Sequence, residues 1–142
     1  MKKSVGAIIF YNGKYLLQKR DNKKNIFFPN FWGVFGGSVD PKESKKKAVI
    51  RELKEEISLE MHLKKKIFSI YFNSEIFKKK RDRTYYLCTF KSKNFKIVLN
   101  EGQKYKFFKI EEIKKLNIVP WDLKALLYYD LFYIKKLKLI PR

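Results

Sequence analysis

Acid is scarce in this chain. Of its 142 residues, 34 are Lys or Arg and only 14 are Asp or Glu, a formal net charge of +20. It holds one cysteine and one histidine. No apolar run approaches the roughly 18–20 residues that a membrane-spanning helix needs. The lone Cys88, in TYYLCTF, excludes an internal disulfide; with no second Cys and no nearby His, it reads as a buried structural thiol, which fits a reducing cytoplasm. His62 has no His or Cys partner and reads as structural. The opening MKKSVGAIIFYNGKYLL has a basic tip, but its short apolar segment runs into the polar turn YNGK, so it reads as a strand and not as an export signal. A single domain over 1–142 is expected, long enough to bury a core. The 45% hydrophobic and 17% aromatic content argues against disorder.

What abounds is lysine. It supplies 29 of the 34 basic residues, with KKK triplets at 45–47, 64–66 and 78–80. Such an excess suits a polyanion, because Lys and Arg neutralise phosphate, and nucleic acid is therefore one candidate partner. The lysines are nonetheless spread along the whole chain. Together with many Ile, Asn, Phe and Tyr, they equally fit a solvated surface encoded by an A/T-rich genome.

SVGAIIFY and KYLLQKR flank Asn12-Gly13, a pair that tolerates positive φ, and predict a β-hairpin. Residues 21–31 read as a loop and WGVFGG as a short strand. A helix is expected over 45–57. Strands are expected at 66–77 and 84–91, joined across the basic turn KKKRDR, with a further short strand at YKFFKI and a helical turn at EEIKKL. A last amphipathic helix is expected at about 122–137. Its aromatic and basic face suits a membrane surface or a partner, but packing against a sheet is the simpler use. Strands and helices alternate, so a mixed sheet covered by helices on both faces is the natural packing.

In the helix at 45–57, Ser44 is the favoured N-cap, leaving Glu43 in the preceding loop. At about 100° per residue, Val49, Ile50, Leu53 and Ile57 share a face suited to burial. Glu52, Glu55 and Glu56 cluster on a neighbouring face, and Arg51 stands one turn before Glu55, where it can brace it. A solvated face would more cheaply interleave the plentiful lysines. Three clustered carboxylates with Glu43 nearby are hard oxygen donors suited to Mg²⁺ or Mn²⁺, although an exposed acidic face remains the alternative on physical grounds alone.

The stretch Gly37–Leu59 resembles the signature of the Nudix hydrolases, G-x5-E-x7-R-E-U-x-E-E-x-G-U, where U is bulky and aliphatic. Gly37, Glu43, Arg51, Glu52, Glu55 and Glu56 match at fixed spacing, as do Leu53 and Leu59. The one departure is Ser58 in place of the last glycine. A helix end there calls for a left-handed residue, which Ser adopts at a cost of roughly 1 kcal/mol, so Ser58→Gly is expected to stabilise. The resemblance implies a MutT-like, α/β Nudix fold, an α/β/α sandwich with a mixed β-sheet between helices. It also implies metal-dependent hydrolysis of the diphosphate linkage in a nucleoside diphosphate joined to a group X, such as a nucleoside triphosphate or nucleotide sugar. An RNA 5′-end pyrophosphohydrolase and a non-catalytic nucleic-acid-binding module are the alternatives, and a homodimer is left open.

By the same resemblance, Glu52 and Glu56 are the leading metal ligands, with Glu43, Glu55 and the backbone at Gly37 as further candidates. Glu55 is a ligand or a base, and Arg51 orients the carboxylates. Arg20, Lys19 and the DNKK loop either hold substrate phosphates or are solvated loop charges, with Gly36 and Gly37 allowing close approach. Phe27, Phe28, Phe31 and Trp32 either stack on a base or pack. Glu101 is the only acid between Asp82 and Glu111. It lies in a turn where members of the family often carry a further metal ligand or the base that activates water.

Overall fold

The computed structural model describes residues 1–75 and 78–138. Its elements in order are β1 (Lys2–Ile8), β2 (Phe10–Tyr11), β3 (Lys14–Lys19), β4 (Trp32–Gly33), β5 (Gly36–Ser38) and α1 (Lys45–Ile57). There follow β6 (Met61–Ser74), β7 (Lys79–Phe90), β8 (Lys104–Phe108), α2 (Ile110–Ile113) and α3 (Pro120–Tyr129), which ends in a π-helical turn, Asp130–Ile134. A mixed sheet runs β5-β1-β7-β6, with β1 parallel to β7 and the other pairs antiparallel. In a second, antiparallel sheet, β3 pairs with β2, β4 and β8.

The period-two alternation of strand side chains sorts the core into two layers. Val5, Ala7, Phe35, Tyr86 and Cys88 pack with Val49, Leu53 and Ile57 of α1. Their neighbours Ile8, Val34 and Tyr85 pack on the other side with Ala125, Leu126 and Tyr129 of α3. The result is the expected sandwich, with a mixed sheet between helices. Cys88 is fully buried, and burial pushes its thiol up to about 12. The last helix is core packing, as its apolar spacing suggests. Among the described residues, no helix is long and apolar enough to cross a membrane.

Several elements differ from expectation for identifiable reasons. Asn12 (φ 49°) and Gly13 (φ 75°) do form the turn, but it joins only β2 to β3. The first strand breaks at Ile9, and β1 belongs to the other sheet. WGVFGG likewise divides between the sheets, as β4 and β5. KKKRDR is not a turn: from Lys79 onward it is strand, because its charges find interior partners. Lys45 Nζ donates to Asp82 at 2.8 Å, and Arg83 pairs with Asp122 at 3.2 Å. The strand expected at 66–77 begins earlier, at Met61, and its expected end at 76–77 lies outside the described residues. The last helix changes pitch at Asp130. That buried carboxylate accepts from Tyr15 Oη at 2.8 Å, and Lys135 N–H bonds to the Asp130 carbonyl five residues back.

Candidate active site

Helix α1 begins where the sequence indicates, with Ser44 Oγ accepting from Lys47 N–H at 3.2 Å. It lays its acidic face against the glycines of β5. Glu56, 2% exposed, accepts from Gly36 N–H at 2.9 Å and from Gln18 Nε2 at 3.3 Å. It forms no ion pair within the described residues. Burial first, then the charges of Glu52 and Glu101, push its carboxyl well above the ordinary range. Glu52 is half-buried and is also pushed up, chiefly by burial, against the opposing pull of Arg51. A Cβ on Gly37 would meet the Glu52 carboxylate at 2.5 Å, so a side chain there would push that carboxylate from its place. At Gly36 the φ of +155° and the carbonyl of Val5 exclude any side chain.

Arg51 is the hub of the acidic face. Its Nε and Nη2 donate to the two Glu43 oxygens at 2.7 and 2.9 Å. Nη1 reaches Glu52 at 3.0 Å and Glu55 at 3.2 Å, and Nη2 also bonds to the Ser38 carbonyl at 3.0 Å. A fork bonded to both oxygens of one carboxylate fixes the plane of both groups. The Arg51 bond is the main reason that the Glu43 carboxyl lies low, at about 2, with a further contribution from the Asp40 N–H. Glu55 is exposed at the rim.

The turn carrying Glu101 is clamped to α1. Val98 and Asn100 N–H groups cap the Ile57 and Glu56 carbonyls at 3.1 and 2.8 Å, and Asn100 Nδ2 donates to the Glu55 carbonyl at 2.9 Å. Carbonyls at a helix end have no partner within the helix, and these bonds supply them. On the other side, Gln103 N–H bonds to the Lys19 carbonyl at 2.8 Å. Glu101 thereby lines a small pocket with Glu56, Gln18, Arg20 and Gly36. Ser58 is left-handed (φ 60°, ψ 34°), as expected, but its hydroxyl also accepts from Asn100 Nδ2 at 2.7 Å.

Beside the glycines opens a cleft of about 330 Å³ between the mixed sheet and the start of α3. Phe27, Phe72 and Trp121 line it, Phe72 and Trp121 being stacked at 4.2 Å. Arg20 borders both the cleft and the acidic pocket; its Nε donates to the Phe27 carbonyl at 2.9 Å, which holds the 21–31 loop. Of the four aromatics considered, only Phe27 faces the cleft. Phe28 packs on Phe31 and Trp121, and Trp32 on Phe108. The start of α3 is fixed by Asp122, which accepts from Arg83 Nε, from Tyr85 Oη and, at 3.0 Å, from Val34 N–H. Burial disfavours the Arg83 charge, but the Tyr85 and Asp122 oxygens reverse the balance and raise its pKa.

The structure therefore brings Glu52, Glu56, Gly36, Gly37, Arg20 and Glu101 around one rim, with Arg51, Glu43 and Glu55 braced beside them. Among the described residues, no three acidic, His or Cys side chains already converge as a metal cage. The donor set still fits a hard divalent cation. Glu56 is a buried carboxylate that forms no ion pair among the described residues, pressed by two further acids, and oxygen donors of that kind suit Mg²⁺ or Mn²⁺. The bonds that set Gln18 on Glu56, Asn100 on the end of α1, and Arg83 on Asp122 span 38 or more positions, too far for a local signal in the sequence. Only the Asn-x-Gly pattern hints at Asn100.

Comparison with known proteins points one way. The family model described as NUDIX domain matches residues 1–129. A CTP pyrophosphohydrolase of Escherichia coli (strain K12) is 41% identical over 56 residues, which are 39% of this chain and 40% of that protein. The chain thus spans well under half the length of that relative in the matched stretch. Two solved structures align over nearly the full length, each at 25% identity. The E. coli ORF135 protein has a TM-score of 0.75, covering 96% of this chain and 93% of the other. A MutT protein from Methanosarcina mazei has a TM-score of 0.76, covering 96% of both.

Proposed function

The chain belongs to the NUDIX domain family, and from that premise we propose that it is a pyrophosphohydrolase cleaving the diphosphate linkage of a nucleoside diphosphate-X substrate. The kinship with a CTP pyrophosphohydrolase makes a nucleoside triphosphate, CTP first, the leading substrate. The observation that carries this reading is the buried Glu56 carboxylate, which forms no ion pair among the described residues, in a small acidic pocket that shares Arg20 and Gly36 with the aromatic cleft.

The family generally uses divalent metals, and in this reading Mg²⁺ or Mn²⁺ is held by Glu52 and Glu56, with Glu55 and the Gly37 backbone beside them. When bound, such an ion acidifies water and neutralises phosphate charge. The chain's own residues do the rest. Arg51, anchored by Glu43, holds the Glu52 and Glu55 carboxylates in place. Arg20 sits between cleft and acids, where an anionic diphosphate passes. Phe27, Phe72 and Trp121 offer apolar faces to a base. Glu101 stands beside Glu56 on the open rim, placed to take the proton from attacking water. Water adds to one phosphorus, the bridging P–O bond breaks, and a nucleoside triphosphate yields nucleoside monophosphate and pyrophosphate.

The test is a screen of nucleoside triphosphates, nucleotide sugars, dinucleoside polyphosphates and triphosphorylated RNA with Mg²⁺ or Mn²⁺. Release of a nucleoside monophosphate from at least one of them, abolished by EDTA, is the expected result. Inertness toward all of them would overturn the reading.

A further inference from the structure

The inner end of the cleft suits a diphosphate, but its outer end carries charge that this role does not use. Strands β1 and β7 lie side by side, so depth can be counted in rungs. Gly6 faces Gly36 at the inner end, and Lys2 faces Arg81 four residues further out, about 13 Å at the strand rise. Phe72 of β6 completes that outer rung. Arg81 is 9% exposed and lines the cleft, its guanidinium 5.0 Å over the Phe27 ring. Its buried Nε has no hydrogen-bond partner among the described residues. Lys2 and Lys79 line the same end, and within the described residues none of the three cations has an ion pair. Among the described residues the one carboxylate lining the cleft, Asp122, is taken by Arg83 and Tyr85.

A buried guanidinium N–H without an acceptor is costly, and three neighbouring cations repel one another. An uncharged base or sugar can accept from the guanidinium but leaves the three positive charges uncompensated. A phosphate answers both, since it accepts from the guanidinium fork and neutralises the lysines.

We propose that the outer end of the cleft is a second phosphate subsite. The preferred substrate then carries, besides its diphosphate, a phosphate on the far side of the nucleoside. That group is the 3′-phosphate of a mononucleotide or the next phosphodiester of a 5′-phosphorylated RNA. The proposal rests on reading the cleft as the nucleoside site, and its test separates the two.

Calorimetry compares nucleoside 5′-monophosphates with nucleoside 3′,5′-bisphosphates of all four bases, on wild type, Arg81→Gln and Lys79→Gln. The bisphosphate of the best base should bind about tenfold tighter, the worth of one charge-assisted hydrogen bond. That preference should vanish in Arg81→Gln and shrink in Lys79→Gln. Lys79 is exposed, so its variant carries the test if Arg81→Gln does not fold. Equal affinities, or a preference that survives both substitutions, would overturn the subsite, and no affinity for either nucleotide would overturn both readings. Turnover then identifies the source. A gain in kcat/KM for a 5′-triphosphorylated trinucleotide over a 3′-phosphorylated nucleoside triphosphate assigns RNA, and the reverse assigns the mononucleotide. Intact bisphosphate preference without hydrolysis of any substrate would refute the pyrophosphohydrolase and leave the subsite standing.

Discussion

Glu101 and Ser58 show how far single residues can be read. Glu101 stands out in the sequence as an isolated acid in an acid-poor chain, and the structure puts it beside Glu56. Glu101→Gln keeps the shape of the turn but removes the proposed base. It should lower kcat about 10²-fold or more, the scale of general-base loss, with KM little changed. Steady-state kinetics check this; a change confined to KM would make Glu101 a substrate contact. Ser58 is subtler. Its left-handed backbone is legible from the missing glycine, but its bond to Asn100, 42 positions away, is not. Ser58→Gly relieves about 1 kcal/mol of backbone cost and loses a hydrogen bond of similar worth, so the two should cancel to within about 0.5 kcal/mol. Ser58→Ala keeps the backbone cost and loses the bond, and should destabilise by about 1 kcal/mol. Denaturant melts decide; a full 1 kcal/mol gain in Ser58→Gly would show that the Asn100 bond contributes nothing.

Among the elements, α1 was the most legible because its signals are local: a capping serine, an apolar face at helical spacing, and a left-handed stop. Its boundaries match expectation at both ends. The basic stretch 78–83 was the least legible. Read locally, six charged residues make a turn; in the fold, Asp82 and Arg83 point to opposite faces of β7 and each meets a partner from a distant helix. The division of WGVFGG between two sheets was hidden for the same reason, since strand pairing is a long-range choice that a short run does not encode. Asp122 links these elements, tying α3 to β7 and to the β4–β5 junction. Asp122→Asn leaves Arg83 buried and unpaired, and should destabilise by about 3–5 kcal/mol. Adding Arg83→Met should recover part of that loss in denaturant melts. Independent, additive effects would contradict the buried pair.

For the molecule as a whole, the sandwich brings two chemically unlike regions to one rim: an acidic helix face and a cationic, aromatic cleft. The high positive charge is therefore not evenly meaningful. Many lysines lie exposed on the surface, whereas Arg20, Arg81 and Arg83, three of only five arginines, line the cleft. The sequence motif located the acidic half, but the cleft depends on how β7 and α3 meet. The central claim is that the acidic face exists for catalysis and not for stability. Glu56→Gln tests it most directly, with divalent-ion-dependent nucleoside monophosphate release and the melting temperature measured on the same samples. The account predicts that kcat falls by about 10²-fold or more, while the melting temperature without metal holds or rises, because a buried carboxylate pressed by Glu52 and Glu101 has been neutralised. Wild-type turnover in Glu56→Gln, or a marked fall in its melting temperature, would contradict it.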